Sequence, residues 1–454
     1  MIPKKFKEIN ITILLGGPGS GSKLFQSFID DHPEVLMIPG YILMYFYPHW
    51  DKHLKNLNSW NKIIVKFLSL HPSILNSGQM KGDDYLYNLG SNKNQKITIN
   101  KKKYVSFLRK ILKDEKINSK NFFIAVHMAY FISLKKNLSN KTNLVYHMHV
   151  CWYLERFIKD FNKFKIITMI RDLKSNIPKR IKSLEDPNRR HLNYTDCFFF
   201  KTRSYKNIIY EDFFSLDFLQ KFKNKNRVVK HEDLLSRKRQ VLKNFCKFIN
   251  IKFNSTLMSS SFNSLLWNYK PERKIKLVGG VAKHISSYDT KKFYNYELFW
   301  IEMLNYEFNG YYKYKKLFKK NFLSFLLTII LIFLPSKKEV YVTLNVFKYN
   351  SFKNYLKFLK YEVINKKLKK YEKNAFYFHK WSNKYFPFSK INFVIRKIKT
   401  SGNSIWHLIY IIIKILEYIL IPIFCIVEYL IRIYLCSVII IKNLFCLRFF
   451  PKKL

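Results

Sequence analysis

Residues 9–31 read INITILLGGPGSGSKLFQSFIDD, and this stretch decides the fold. The apolar run Ile9–Leu15 predicts a short buried strand, and a glycine-rich break and then a helical pattern follow it. Glycines let a turn point backbone N–H groups at an anion, and the next helix adds the positive end of its dipole. Strand, loop and helix in this order open a phosphate-binding α/β unit. The predicted phosphate contacts are Gly17, Pro18, Gly19, Ser20, Gly21, Ser22 and Lys23.

This loop differs from the nucleotide-binding loop of kinases and NTPases. That loop ends in Gly-Lys followed by Ser or Thr, whereas here Gly21 is followed by Ser22 and then Lys23. A P-loop nucleotide kinase or NTPase is therefore a rival interpretation, which predicts Mg²⁺ dependence and ATP binding. A glycine turn that binds no ligand is the simplest alternative.

The rest of the N-terminal two thirds alternates between short apolar runs and helical patterns. Further buried strands are predicted at Phe122–Val126, Leu144–His147, Lys165–Ile170 and Arg227–Lys230. Helices are predicted at Trp152–Phe161, Leu173–Ser183 and Ser236–Ile249. Strands that alternate with helices predict an α/β fold with a parallel, doubly wound sheet.

A charged pair, Arg171 and Asp172, ends the strand predicted at Lys165–Ile170. Ligands of open α/β sheets bind at the carboxyl ends of the parallel strands, and the guanidinium fork suits a phosphate. The alternative is a helix-capping aspartate beside an ordinary surface arginine.

Taken together, these segments resemble the superfamily of sulfotransferases that use 3′-phosphoadenosine 5′-phosphosulfate (PAPS), over roughly residues 9–311. GGPGSGSKLFQSFIDDHPEVLMIPG resembles the loop for the 5′-phosphosulfate, and IITMIRD resembles the strand that carries the 3′-phosphate ligand. The resemblance implies that Arg171 holds the 3′-phosphate. VVKHEDLLSRKRQVLKNFCKFINI is similar to a further family segment in which Glu232 has a structural role, and Trp300–Tyr311 resembles the closing helix. PAPS as co-substrate, without a metal, is what this resemblance implies.

The chain departs from the family pattern at several donor positions. Many members carry Lys or Arg where Gly19 stands, and a hydroxyl residue at the position of Lys23, so we expect Lys23 to supply the displaced charge. The family often has a serine eight residues after the strand-end arginine, where this chain has Lys179. Lys179 can still bind a phosphate as a point charge. Ser175 and Ser183 are the alternative hydroxyls.

The resemblance also implies a catalytic base in the segment Tyr146–His149. In cytosolic members a histidine follows a strand in a similar layout, and His149 lies 22 residues before Arg171. An imidazole can take the proton of an acceptor hydroxyl. His147 and His149 would point the same way from a strand, so both are candidates, with a strand-capping histidine as the alternative. Other branches use a glutamate where this chain has Pro39 and Gly40.

Composition excludes a chain that is disordered throughout, because 48% of its 454 residues are hydrophobic and 18% are aromatic. The formal net charge of +52 favours phosphate-rich partners. Abundant Lys, Asn and Ile with scarce Gly also fits A/T-biased codons, and the lysines are spread out, so no specific nucleic-acid site is expected. Six cysteines without zinc spacing, and a charged N-terminus, predict a reduced cytoplasmic compartment and no metal site.

The C-terminal third has a different character, and we expect three domains: a sulfotransferase domain (1–315), a basic, aromatic-rich extension (316–402) and a hydrophobic helical tail (403–454). The tail is an apolar run that five polar residues interrupt, and on a helix these residues would form one narrow stripe. They are His407, Lys414, Glu417, Glu428 and Arg432. An in-plane or hairpin membrane anchor, a buried or oligomer-forming helix, and a spanning helix all remain open. The apolar run Phe322–Pro335 is either a second interfacial element or a core helix.

These features lead to an expected activity. The chain would transfer a sulfuryl group from PAPS to a hydroxyl or amine acceptor, with a lipid-linked or surface-destined glycan as the expected acceptor class. The tail would hold the enzyme at the cytoplasmic face of a membrane. A second rival is a non-catalytic basic relative that binds membrane or nucleic acid.

Overall fold

The computed structural model describes residues 2–17, 19–79, 86, 89–148, 154–177, 219–267, 277–278, 281–282, 293–331, 333–334, 430, 433–434 and 437. These residues belong to two compact units. The first, here called the sheet unit, comprises Met1–Arg171, Ser215–Ser287 and Phe449–Leu454. The second unit comprises Asp172–Phe214 and Tyr288–Arg448.

A five-stranded parallel sheet forms the centre of the sheet unit, with the strand order β2-β3-β1-β4-β5. The strands are β1 (Asn10–Gly16), β2 (Val35–Met37), β3 (Asn143–Met148), β4 (Phe164–Ile170) and β5 (Asn226–Lys230). The predicted α/β class and parallel sheet are confirmed. The strands predicted at residues 9–15, Leu144–His147, Lys165–Ile170 and Arg227–Lys230 are confirmed within one residue at each end.

Continuous apolar sequence explains why these strands lie at the centre. Residues 11–16 of β1 and all of β3 are buried, as expected for a parallel sheet that helices cover on both faces. One buried polar pair bridges neighbouring strands inside the sheet: the hydroxyl of Thr168 donates to the side-chain oxygen of Asn226 at 2.9 Å. This bond joins β4 to β5.

The strand predicted at Phe122–Val126 is wrong, because these residues lie in a helix, Ser119–Ser133. Asn118 caps that helix by accepting a hydrogen bond from the backbone N–H of Asn121 at 2.8 Å. The helix is buried on nearly every side, so its sequence lacks a polar face and reads as an uninterrupted apolar run. The second strand of the sheet is instead β2, a three-residue segment too short to show a pattern.

Helices surround the sheet, and two short hairpins complete the unit. The helices are α1 (Lys4–Lys7), α2 (Ser22–Ile29), α3 (Phe46–His49), α4 (Trp60–Leu70), α5 (Lys101–Leu112), α6 (Ser119–Ser133), α7 (Leu154–Phe157), α8 (His231–Ser236) and α9 (Lys238–Ile249). The hairpins pair β6 (Ser261–Phe262) with β7 (Leu265–Leu266) and β8 (Leu277–Val278) with β9 (Val281–Ala282).

The three predicted helices are confirmed in part, because residues 158–161 of the first are described and are not helical. Ser236–Ile249 corresponds to α9 together with the end of α8, and α7 lies inside Trp152–Phe161, of which Trp152 and Tyr153 are outside the described residues. Of the helix predicted at Leu173–Ser183, residues 173–177 are helical and the rest is not described.

The described part of the second unit is mainly helical. Besides the helical residues 173–177, it contains α10 (Asn295–Leu304), α11 (Tyr306–Tyr311) and α12 (Phe322–Leu331), and α12 packs against α10. Beyond residue 334 only positions 430, 433, 434 and 437 are described, so the predicted extension and tail lie largely outside the described residues. Among the helices that are described, none is both long enough and apolar enough to cross a membrane.

Candidate functional site

The carboxyl ends of four adjacent strands meet at one edge of the sheet. Register places Leu15 of β1 beside Met148 of β3, and Gly16 beside Met169 of β4. Ile170 of β4 pairs with Lys230 of β5. Because parallel strands end on the same side, the segments that follow β1, β3, β4 and β5 start at this edge, where open α/β sheets bind ligands.

The glycine loop joins β1 to α2 as a turn. Gly19 and Gly21 adopt left-handed conformations, with φ of 79° and 90°. The N–H of Ser20 donates to the carbonyl of Gly17 at 3.1 Å, and the N–H of Phe25 donates to the carbonyl of Gly21 at 3.0 Å. The loop is therefore a tight turn that leads directly into the first turn of α2. Pro18 lies outside the described residues.

Close packing also requires glycine at two loop positions. A Cβ on Gly16 would lie 2.5 Å from the hydroxyl of Ser20 and 2.7 Å from the Cβ of Ser22. A Cβ on Gly21 would overlap the imidazole of His231, the first residue of α8. The loop is thus held between its own serines on one side and the end of β5 on the other.

Arg171 reaches this loop from the end of β4. Its guanidinium Nη1 donates to the carbonyl oxygen of Gly19 at 3.3 Å, and the residue is only 6% exposed. The two sequence signals, the glycine loop and the strand-end arginine, are therefore in direct contact. Asp172 caps the helix that follows, since its carboxylate accepts from the N–H of Lys174 at 2.9 Å. The alternative of a surface arginine is wrong, whereas the capping aspartate is confirmed.

Lys23 and His147 approach the same aromatic ring. Lys23 is buried in the first turn of α2, and its ammonium lies 4.8 Å from the ring centroid of Tyr41. The ring centroids of Tyr41 and His147 are 4.6 Å apart. A lysine ammonium at this distance from an aromatic face is attracted to it. The structure thereby brings together two of the three predicted catalytic residues, and the third, His149, lies outside the described residues.

The amide of Gln26 fixes the orientation of His147. Its Nε2 donates to the carbonyl of Ile38 at 3.2 Å, which leaves Oε1 as the acceptor. That oxygen receives the N–H of Gly40 at 3.0 Å and lies 3.2 Å from Nδ1 of His147. Because Oε1 cannot donate, neutral His147 carries its proton on Nδ1, and Nε2 is the nitrogen able to accept a proton.

Sequence reasoning missed four residues at this site. Tyr41 and Gln26 contact His147, His231 lies against Gly21, and Lys230 is buried at the end of β5. The strand Arg227–Lys230 was predicted, so the placement of the residues after it could have been inferred from the sheet order. No comparable signal pointed to Tyr41 or Gln26, because their role depends on tertiary contacts.

Charge at this edge is mainly positive. Lys23, Arg171 and Lys230 are all less than 8% exposed there. Burying a cation is costly unless an anion or a set of hydrogen bonds compensates it. Lys179, predicted to join this group, lies outside the described residues. In the described ranges no group of three His, Cys, Asp or Glu side chains is arranged to hold a metal ion.

Comparison with solved structures finds sulfotransferase domains. The sulfotransferase domain from the curacin biosynthetic pathway is 15% identical, with a TM-score of 0.34, and the match covers 71% of this chain and 97% of that domain. The sulfotransferase domain of the Synechococcus PCC 7002 olefin synthase is also 15% identical, with a TM-score of 0.27, over 55% of this chain and 76% of that one. Similarity at this level of identity and TM-score does not assign the function of those domains to this chain. No family model and no curated protein matches the chain.

Proposed function

We propose that this protein is a sulfotransferase that moves a sulfuryl group from PAPS to a hydroxyl or amine acceptor. The observation that carries the proposal is the contact between Arg171 and the glycine loop at Gly19. It places a buried guanidinium beside a backbone turn that begins a helix, and such a pair suits a ligand with two separate anionic groups. The sequence motifs that resemble the superfamily supply the identity of that ligand.

The described residues fit such a donor. The hydroxyl of Ser20 is buried and has no hydrogen-bond partner within the described part of the chain, so it can bond to a ligand oxygen. The 5′-phosphosulfate would be held by the loop residues Gly17, Pro18, Gly19, Ser20, Gly21, Ser22 and Lys23. The 3′-phosphate would be held by Arg171, with Lys179 as a second cation.

The proposed reaction is an in-line displacement at sulfur. A base, His147 through Nε2 or the neighbouring His149, takes the proton of the acceptor hydroxyl. The acceptor oxygen forms a bond to sulfur while the bond from sulfur to the bridging phosphate oxygen breaks. Negative charge then develops on that oxygen and leaves with 3′-phosphoadenosine 5′-phosphate, and Lys23 with the loop N–H groups stabilises it.

The proposal also covers the domains of the enzyme, its location in the cell and the class of its acceptor. Residues 1–315 would form the catalytic domain, 316–402 an extension, and 403–454 a tail that holds the enzyme at the cytoplasmic face of a membrane. An enzyme in that position would act on hydroxyls of a lipid-linked or surface-destined glycan. The support is the apolar sequence of the tail.

The first test is calorimetric titration of the full chain, without Mg²⁺, with 3′-phosphoadenosine 5′-phosphate and separately with ADP. The former should bind at least about tenfold more tightly, because Arg171 pairs with the extra phosphate. Arg171→Ala should remove this preference. Arg109→Ala is the matched control, since Arg109 lies on α5 and bonds to Asn61.

Each alternative predicts a different result. Equal binding of both nucleotides, strengthened by Mg²⁺, would support a P-loop kinase or NTPase and reject the sulfotransferase. No nucleotide binding, with binding to lipid or oligonucleotide that survives both Lys23→Ala and Arg171→Ala, would support a non-catalytic basic protein.

A further inference from the structure

Helix α12 in the second unit has an inverted distribution of polar and apolar residues. Its buried side chains are those of Ser324 and Thr328, which lie one turn apart on the same face. The exposed side chains on and just after the helix are those of Phe322, Leu323, Leu326, Leu327, Ile329, Ile330, Phe333 and Leu334. Surface helices of soluble proteins show the opposite arrangement.

Local hydrogen bonds keep the helix in this orientation. The hydroxyl of Ser324 donates to the carbonyl of Asn321 at 2.8 Å, and that of Thr328 donates to the carbonyl of Ser324 at 2.7 Å. Asn321 caps the helix by accepting the N–H of Ser324 at 2.7 Å. The two hydroxyl residues can therefore be buried without an unsatisfied polar group, and α12 packs against α10.

The exposed apolar surface is larger than solubility favours. The eight side chains are between 36% and 76% exposed, and Phe322, Leu323 and Ile330 each exceed 60%. Contiguous apolar patches beyond a few hundred Å² mark sites that bind another protein or a membrane. The patch therefore calls for an apolar partner.

A group of lysines immediately before α12 indicates the charge of that partner. Lys313, Lys315, Lys319 and Lys320 are exposed within the eight residues that precede Asn321, and of these Lys320 forms an ion pair with Glu307 of α11. The buried carboxylate of Glu302 anchors this segment by accepting the N–H groups of Leu317 at 2.5 Å and Phe318 at 2.7 Å. An anchored row of positive charge beside an apolar helix is typical of segments that bind anionic lipid.

We propose that α12 and the lysines before it form a docking site for an anionic lipid surface. The apolar face enters the boundary between headgroups and acyl chains, and the lysines contact lipid phosphates and carboxylates. Ten residues extend about 15 Å, half of the ~30 Å hydrocarbon core, so the helix lies in the membrane plane. A second copy of the chain fits less well, because it would bring the same lysines and a net charge of +52. This site is independent of the proposed donor chemistry.

Hydrogen–deuterium exchange tests the site within the full-length chain. Peptides that contain α12 are followed alone, with phosphatidylcholine vesicles, and with vesicles that also contain phosphatidylserine. We expect exchange in α12 to slow by about tenfold with the anionic vesicles and to change little with the neutral ones. Because exchange is followed in peptides that contain α12, membrane binding by another segment would not produce the same protection.

Variants separate the apolar and charged parts. The triple variant Phe322→Ser, Leu323→Ser, Ile330→Ser should lose the protection, and Lys315→Gln with Lys319→Gln and Lys320→Gln should weaken it and reduce its dependence on salt. Val65→Ser is the matched control, since Val65 is an exposed apolar residue (67%) on α4 of the sheet unit. All substituted residues of the triple variant are exposed, so it should keep the thermal transition of the parent chain.

Other outcomes would overturn the proposal. If α12 exchanges slowly without lipid and vesicles change nothing, another part of the chain covers the face. If protection rises with protein concentration alone, a second copy covers it. Equal protection by neutral and anionic vesicles would reject the role of the lysines.

Discussion

The strand-end edge of the sheet unit and helix α12 of the second unit break the usual rule of protein interiors in opposite ways. At the sheet edge Lys23, Arg171 and Lys230 are buried, whereas along α12 leucines and phenylalanines are exposed. Ordinary domains place charge outside and apolar side chains inside. Under the two proposals, each departure corresponds to a different partner: an anion at the sheet edge, and an apolar surface along α12.

The largest expected effect concerns His147 at the sheet edge, where one substitution should lower the reaction rate and leave nucleotide binding intact. His147→Ala should lower the rate of sulfuryl transfer by about 10²–10⁴-fold, because it removes the group proposed to accept the hydroxyl proton. Binding of 3′-phosphoadenosine 5′-phosphate should change little. Turnover and calorimetry on the same preparation measure the two effects.

His53→Ala serves as the control for that substitution, since His53 follows α3 and belongs to a different part of the sheet unit. A His147→Ala protein with full turnover would assign the base to His149 or to another group. Loss of nucleotide binding together with turnover would show that His147 shapes the site and does not act in the reaction.

A buried charge away from the sheet edge offers a second test of the comparison. Asp30 follows α2, and burial raises the pKa of its carboxyl to about 7, against the opposing effects of the Lys136 ammonium and of N–H groups from Asn263 and Ser264. Its neighbour Asp31 raises the pKa further. A backbone group of the same unit is the partner of Asp30, because its carboxylate accepts the N–H of Asn263 at 2.5 Å.

The pKa of Asp30 predicts how stability depends on pH. The unfolded carboxyl ionises near 3.8 and the folded one near 7, so between these values the folded state binds more protons. The free energy of unfolding should therefore fall by a few kcal/mol at most as the pH rises from about 4 to 7. Asp30→Asn should flatten this dependence, measured by thermal melts across the range, while Asp114→Asn on the surface should not. An unchanged slope in Asp30→Asn would contradict the assignment.

The smallest expected effect comes from distorting the glycine loop at the sheet edge while every charge stays in place. Gly21→Ala places a Cβ at φ 90° and against the ring of His231, which should cost about 1–3 kcal/mol of stability and weaken nucleotide binding. Gly310→Ala is the matched control, because its Cβ would meet only the flexible end of Lys316. If both substitutions leave nucleotide binding unchanged, the loop does not hold the ligand.

Much of the sheet edge could be predicted from the sequence, because its signals are local. Continuous apolar runs marked β1, β3, β4 and β5, and a strand-end arginine can be recognised without knowledge of its neighbours. The strand predicted at Phe122–Val126 failed because a helix buried on nearly every side has the same apolar pattern as a buried strand.

The remaining features depend on contacts between distant segments. Gln26 reaches His147 across 121 positions of sequence, and Tyr41 meets Lys23 and His147 only once β2 has paired with β3. The orientation of α12 could not be predicted either, because the sequence left open whether the apolar run Phe322–Pro335 is interfacial or part of a core. Burial of Ser324 and Thr328, on a helix that packs against α10, decides which face is exposed.

Lys23 and Gln26 both lie on α2, three positions apart in sequence, so they occupy nearly the same face about 4.5 Å apart along the axis. One contacts the ring of Tyr41 and the other orients His147. In the proposed reaction, one turn of α2 therefore carries both the cation that meets the leaving oxygen and the amide that orients the imidazole on β3. A shift of α2 along its axis would displace Lys23 and Gln26 together while His147 stays on β3, so the cation and the hydrogen bond that orients the imidazole would be lost in one movement.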